Sequence, residues 1–369
     1  MRTIGVLVVC ALVAHAGPFG KKKKSDEDVT QVLQLPKDPP SAVVAETARL
    51  GFYVSPLSSK GLLSQQVRDA LKALQRSAGS GAIVKLRAFV AGSGDMRRVQ
   101  AIVSETFTDR HQSLPALSVV QVGGLPLEGA QVVMEATSVG KKDVNPNGLA
   151  FIAGQQASSA NPLDPVYPLA EQALAGLRTA VRGAGSQAED VVRGTCFLSS
   201  LDGFAKVRQM VESEYKGAAW TFVQLQRAPA SAVVECEAVA RLRVKIEGPV
   251  LFLNPDGLAK SPNYSQIALV SAPRVAITGT QVAFGSQDSD VRLAFGRLER
   301  ELAGVGASVK EVAWSSIYPL SNATAEDVRK IRFEYYDAAR PPACTLLPFE
   351  GLPSLDASFA VDAIAVASH

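Results

Sequence analysis

The chain has 369 residues, 47% of them apolar and 20% charged, which suits a folded protein of two or three domains and excludes a disordered one. Of its formal charge of +3, Arg2 supplies one, and Lys21 to Lys24 set against Asp26, Glu27 and Asp28 supply another. The body that remains is close to neutral and makes no electrostatic case for a nucleic-acid partner.

At the N-terminus, Arg2 precedes an apolar run from Ile4 to Val13, followed by Ala14-His15-Ala16, the small-x-small pattern of a signal-peptidase site. The run is shorter than the ~20 residues that span a bilayer. Residues 1–28 therefore read as a leader and a charged linker, with cleavage expected after Ala16. The mature chain is expected to be exported, periplasmic or extracellular, with no membrane attachment. Cys10 leaves with the leader, and Cys196, Cys236 and Cys344 remain, an odd, scattered set that predicts no disulfide framework. His15 leaves too. His111 and His369 are too few for a His-based zinc centre or a Ser-His-Asp enzyme. Ala91-Gly92-Ser93-Gly94 and Gly183-Ala184-Gly185 match neither a P-loop nor a dinucleotide fingerprint. No metal and no cofactor are expected.

Beyond the leader the chain repeats itself. A β-rich lead-in, Ala42 to Ser58, is followed by an amphipathic helix carrying Leu71 and Leu74, a stop at Gly79, and the strand run Ile83 to Val90. A second helix around Val99 and two strands, 116–122 and 130–139, complete the pattern. The next copy runs from the lead-in 148–158 through Leu174 and Leu177, Gly185, the strand 191–198, Val207, and strands 220–225 and 233–242. The third runs from the lead-in 266–285 through Phe295 and Leu298, Gly306, the strand 311–318, Val328, and strands 344–349 and 358–366. Gly79, Gly185 and Gly306 recur at intervals of about 100 to 125 residues, and so do the acids Glu135, Glu237 and Asp362 near the ends of the copies. The units are expected at 29–139, 140–246 and 247–369, each β-β-α-β-α-β-β with two helices on one face of a mixed sheet. Their strands are apolar on both faces, so the other sheet face must also be buried.

Several stretches carry a family likeness: Ile277-Thr278-Gly279-Thr280-Gln281, Ala153-Gly154-Gln155, the run Ile83 to Val90, Pro115-Ala116-Leu117-Ser118 and Glu235-Cys236-Glu237-Ala238-Val239-Ala240. In this order and threefold recurrence, over roughly residues 30 to 366, the chain resembles the reactive-intermediate deaminase (Rid, YjgF-like) family. The resemblance implies an α+β, chorismate-mutase-like unit. It also implies a ring of three with sheets inside, helices outside and a small-molecule pocket at each seam, closed here within one chain as a monomeric pseudo-trimer.

Active members of that family hydrolyse 2-imino acids, holding the substrate carboxylate on an arginine and using an acid in the closing strand. The arginine slot here holds Leu117, Trp220 and Cys344, and the acid slot holds Val133, Glu235 and Ala360. The strand-end hydroxyl slot holds Ser55, Ala153 and Thr278, and a pocket-facing position on the second helix holds Gln100, Arg208 and Arg329. Loss of the arginine from all three copies favours a repurposed binder of small molecules, carboxylates among them. The arginines at 208 and 329 are candidate replacements, against the plain reading that they are solvated helix residues. The alternatives are an imine or enamine hydrolase with Glu235 as acid/base and Trp220 as an apolar wall of the same pocket, and thirdly a ribonuclease. Cys344 reads as an inert small residue, since no histidine is placed to activate it.

Overall fold

A computed structural model describes residues 37–92 and 94–368. The leader, its cleavage point and the Lys21 to Lys24 block lie outside the described residues. Unit 1 comprises β1 (Ala42–Glu46), β2 (Leu50–Val54), α1 (Leu63–Ala78), β3 (Ala82–Ala91), α2 (Met96–Asp109), β4 (Ala116–Val122) and β5 (Val132–Val139). Unit 2 comprises β6 (Leu149–Ser159), α3 (Val166–Gly183), β7 (Val191–Leu198), α4 (Phe204–Glu214), β8 (Ala219–Gln224) and β9 (Ala232–Arg241). Unit 3 comprises β10 (Val250–Leu253), β11 (Ile267–Val270), β12 (Arg274–Thr278), β13 (Gln281–Ala283), α5 (Asp288–Gly304), β14 (Ala307–Pro319), α6 (Asn322–Ile331), β15 (Ala343–Leu346) and β16 (Phe359–Ala367).

The first helix of each unit forms where apolar residues fall on one stripe, and it ends where glycine permits a left-handed turn. α1 buries Val67, Ala70, Leu71 and Leu74. Gly79 follows at φ 59°, its N–H donating to the carbonyls of Gln75 and Arg76. Gly185 and Gly306 take φ 73° and 74° at the same point of the other units. The second helices are crossovers, so the strands they join are parallel: β3 with β4, β7 with β8, β14 with β15. The remaining pairings are antiparallel.

Each unit has its own core between helices and sheet, such as Leu71, Leu74, Leu86, Val99 and Phe107 in unit 1. Two further clusters lie on the opposite sheet faces and draw on all three units. One contains Leu50, Leu149, Phe151, Val275 and Trp314, the other Phe89, Phe197, Tyr318 and Phe349. The inner sheet faces thus bury one another around a pseudo-threefold axis, and the units form one compact body.

The structure departs from the sequence expectations in three ways. The lead-in strands do not stay with their own units. β1 pairs with β12 of unit 3 over five residues, Ala42↔Thr278 to Glu46↔Arg274, and closes the ring. β11 pairs with β6 of unit 2. Unit 2 has a single lead-in strand, because residues 140–148 between β5 and β6 are loop. Finally, two of the scattered cysteines are joined. Cys196 on β7 and Cys236 on β9 sit directly opposite in the ladder, with Cα atoms 4.2 Å apart, and form a buried disulfide. A separation of 40 residues in sequence hides a contact that strand register creates.

Candidate ligand sites at the seams

The layer nearest the axis is ionic. β3, β7 and β14 place Arg87, Thr195 and Ser316 opposite Glu135, Glu237 and Asp362, and two residues earlier they carry Lys85, Arg193 and Trp314. Arg87 Nε donates to Glu135 at 2.7 Å, while its Nη2 crosses to unit 2 and donates to Glu237 at 2.7 Å and Thr195 at 2.9 Å. Lys85 Nζ crosses to unit 3, 3.0 Å from Asp362, and donates to Ser118 at 2.6 Å. Burial pushes the Glu135 carboxyl up, but the charges of Arg87 and Arg193 outweigh it and hold the group below the usual range. Asp362 is likewise held low: burial opposes ionisation, and Lys85 with the Ser118 hydrogen bond prevails. For Lys85 burial prevails over Asp362 and lowers its affinity for the proton. These residues fill their space, leaving a cavity of about 30 Å³, room for one water. The cluster holds the units in register.

Ligand-sized space lies at the seam of units 1 and 2. A cavity of about 640 Å³ is lined by Ser55, Leu57 and Val133 from unit 1 and by Arg208, Trp220 and Phe222 from unit 2, among others. Ser55 and Val133 of one unit therefore meet Trp220 of the next across this space. Ser55 Oγ accepts from the Met134 N–H at 3.0 Å, which fixes the strand end. Trp220 stacks with Phe222, ring centroids 6.2 Å apart, and lies over Gly194, where a Cβ would come within 2.2 Å of the indole. The indole Nε1 is buried and has no partner among the described residues. Arg208 stands exposed at the rim, paired with Glu212 at 2.7 Å.

Glu235 belongs to the seam of units 2 and 3, away from Arg208. It is 5% exposed, and its carboxylate occupies the space above Gly154, where a Cβ would lie 1.8 Å from Oε1. Burial and then the charge of Glu237 push its carboxyl up to about 8, against the pull of Arg329. Arg329 itself is half-exposed and paired with Glu326. Cys344 lies at the same seam, its thiol pushed up to about 11 by burial, against Arg332. Nothing in the residue pattern marks Arg332, which is 2% exposed just beyond α6, with Nη1 3.5 Å from Cys344 Sγ and Nη2 donating to the Asn263 carbonyl. A guanidinium thus stands beside Cys344, carried by the helix end rather than the strand.

The seam of units 3 and 1 is tight. The Leu117 carbonyl accepts from the Thr280 N–H at 3.2 Å, and a Cβ on Gly279 would meet that carbonyl at 2.9 Å. Thr278 is buried and its Oγ1 accepts from the Ala363 N–H, so the hydroxyl braces the sheet. Gln100 is exposed, 3.5 Å from Asp38. Ser55, Trp220 and Arg208 are brought together; Glu235, Cys344 and Arg329 form a second group; Leu117, Thr278 and Gln100 fall at the third seam. Lys85, Arg87 and Arg193 escaped sequence reasoning, although charges inside runs as apolar as Ile83 to Val90 were a visible signal.

The model of the endoribonuclease L-PSP family matches residues 41–139 and again 141–247. The chain belongs to this family. Solved structures of Rid- and YjgF-named proteins are similar, each over about a third of this chain. A Rid-family protein of unknown function from Yersinia pestis is 18% identical, over 32% of this chain and 99% of its own, with a TM-score of 0.31. The YjgF gene product of E. coli is 25% identical over 28% of this chain and 93% of its own, with a TM-score of 0.23. A YjgF-family member from Neisseria meningitidis is 16% identical over 32% and 96%, with a TM-score of 0.25. No curated protein matches the chain. Within this L-PSP chain, no group of three or more His, Cys, Asp or Glu side chains among the described residues is placed to hold a metal ion. No described helix is long and apolar enough to cross a membrane.

Proposed function

We propose that this L-PSP-family chain is an exported, repurposed small-molecule binder. In this reading the seam of units 1 and 2 takes a ligand with an aromatic body, and arginine-dependent hydrolysis of 2-imino acids is weak or absent. The observation that carries this is Trp220 in the arginine slot, facing Val133 in the acid slot across a cavity of about 640 Å³, a size common for ligand sites. Losing the guanidinium removes a charge-assisted contact worth about 1.5–3 kcal/mol to a bound carboxylate, while the indole and Phe222 favour a flat apolar group. A carboxylate on such a ligand can still reach Arg208 at the rim, since an exposed pair such as Arg208–Glu212 costs at most about 1 kcal/mol to release.

Trp220 and Trp314 are the two tryptophans, so Trp314→Phe leaves Trp220 as the reporter. Indole and phenylacetate should each change its emission saturably, and Arg208→Ala should weaken phenylacetate more than threefold, ~0.7 kcal/mol, without affecting indole. Imine decay after an amino-acid oxidase should not be accelerated. Acceleration equal to that by an arginine-bearing relative overturns the proposal.

A second reading, an imine or enamine hydrolase at the seam of units 2 and 3, is favoured by Glu235. A carboxyl pushed up to about 8 keeps its proton at neutral pH and can donate it, with Arg332 as the nearby cation. In that case Glu235→Gln abolishes a measurable activity. Export is supported by the buried Cys196–Cys236 disulfide, a bond that persists in oxidising compartments. The N-terminal mass of the protein from its native host checks the expected cut after Ala16.

A further inference from the structure

The three seams are not filled alike. β12 of unit 3 carries β1 along its outer edge, and β6 of unit 2 carries β11, both antiparallel. The corresponding strand of unit 1, β2, is the edge of its sheet and pairs with β5 alone. Unit 2 has no first strand to supply, because residues 140–148 run from β5 into β6 as loop. That loop is tied to the foot of β2. The N–H groups of Val144 and Asn145 donate to the Ala48 carbonyl at 2.8 and 2.9 Å, and Asn145 Nδ2 donates to the Leu50 carbonyl at 2.8 Å.

Above Leu50 the edge is bare. The Ser55 N–H donates to the Met134 carbonyl, and the Gly140 N–H donates to the Arg49 carbonyl, which fixes the alternation of the ladder. Gly51 and Tyr53 bond toward β5, and the main-chain groups of Phe52 and Val54 face outward. They have no hydrogen-bond partner among the described residues. Beside Leu50 to Tyr53 runs a cavity of about 600 Å³, which adjoins the aromatic cavity next to Val54 and shares Lys216 and Gly217 with it. Its charge is one-sided. Lys141, Lys142, Lys216 and Arg241 line it and make no ion pair among the described residues. The acid on its wall, Glu189, is already held by Arg243 at 2.6 Å.

We propose that this slot is a docking site for an extended acidic peptide segment of another protein, which adds to β2 as an antiparallel strand. The molecule fills the same edge twice with its own strands, so the backbone geometry is compatible with addition. An unpaired edge is a standing template for a further strand. The four free cations select acidic side chains, and the loop at the foot of β2 sets where the added strand ends.

The probe is a fluorescein-labelled heptapeptide alternating glutamate and valine, with a lysine-valine peptide as control. The acidic peptide should bind saturably, weaken about tenfold in Lys142→Glu/Lys216→Glu, and weaken with added salt. Hydrogen exchange at the Phe52 and Val54 amides should slow when it binds. Phe52→Pro, which removes an outward N–H at an edge position that tolerates proline, should abolish binding. If that variant fails to fold, the exchange measurement on the unmodified chain decides. Equal binding of the basic peptide overturns the proposal. So does binding that leaves Phe52 and Val54 exchange unchanged, or full competition by inorganic pyrophosphate, either of which would mark a site for small anions.

Discussion

Glu235 is a carboxyl with no hydrogen-bond donor among the described residues, pressed onto Gly154 and pushed up to about 8 by burial and Glu237. A group whose folded-state affinity for the proton is raised stabilises the fold below its unfolded value, near 4.5, and loses that contribution as pH rises through about 8. Glu235→Gln keeps the shape and removes the titration. Urea unfolding at pH 5 and pH 9 should show the natural chain losing up to a few kcal/mol more than the variant over that interval. An equal loss in both would mean that the carboxyl ionises freely in the fold. Glu135 and Asp362 behave in the opposite sense. Their carboxyls are held low by cations, so their contribution is lost only as pH falls through the acid range.

Among the elements, unit 2 stands apart. It lacks a first strand, and it has the disulfide tying β7 to β9. Crosslinking residues 40 apart removes chain entropy from the unfolded state worth about 4 kcal/mol in the loop-closure account, with about 2–5 kcal/mol common in practice. Cys196→Ala/Cys236→Ala should therefore lower the unfolding free energy by about 2–4 kcal/mol and leave the fold intact, because both side chains sit in an apolar core. Chemical denaturation with and without reductant checks this. If reductant destabilises the double variant as much as the natural chain, the bond is not the source. The cysteine count alone argued against this bond, because pairing depends on which residues of two strands face each other, and register is fixed by the whole sheet.

For the molecule as a whole, joining three units in one chain replaces three associations with two covalent links and two strand exchanges, β1 on β12 and β11 on β6. The inner faces are already covered, and the ionic layer at the axis is built by residues of all three units. Removing one partner of such a buried pair costs about 3–5 kcal/mol, so each unit depends on its neighbours. The chain should run as a single copy near 38.9 kDa in light scattering coupled to gel filtration. A stable mass of three chains would mean that the ring forms between molecules.

Threefold repetition and the helix stops at Gly79, Gly185 and Gly306 were legible in the sequence. These follow from local periodicity, from the φ freedom of glycine and from order along the chain, all of which a linear string preserves. Even the axial acids Glu135, Glu237 and Asp362 announced themselves by their spacing. Their partners did not, because Arg87 reaches Glu237 across 150 positions and Lys85 reaches Asp362 across 277. Nor could the sequence say that Trp220 and Ser55 share a cavity from which Glu235 is excluded, or that Arg332 stands behind Cys344. Backbone edges carry no side-chain code. Which strand pairs with β12, which with β6, and which edge stays open at β2 was decided only when the three sheets closed around one axis, where covering the inner faces and satisfying buried charges fix every neighbour together.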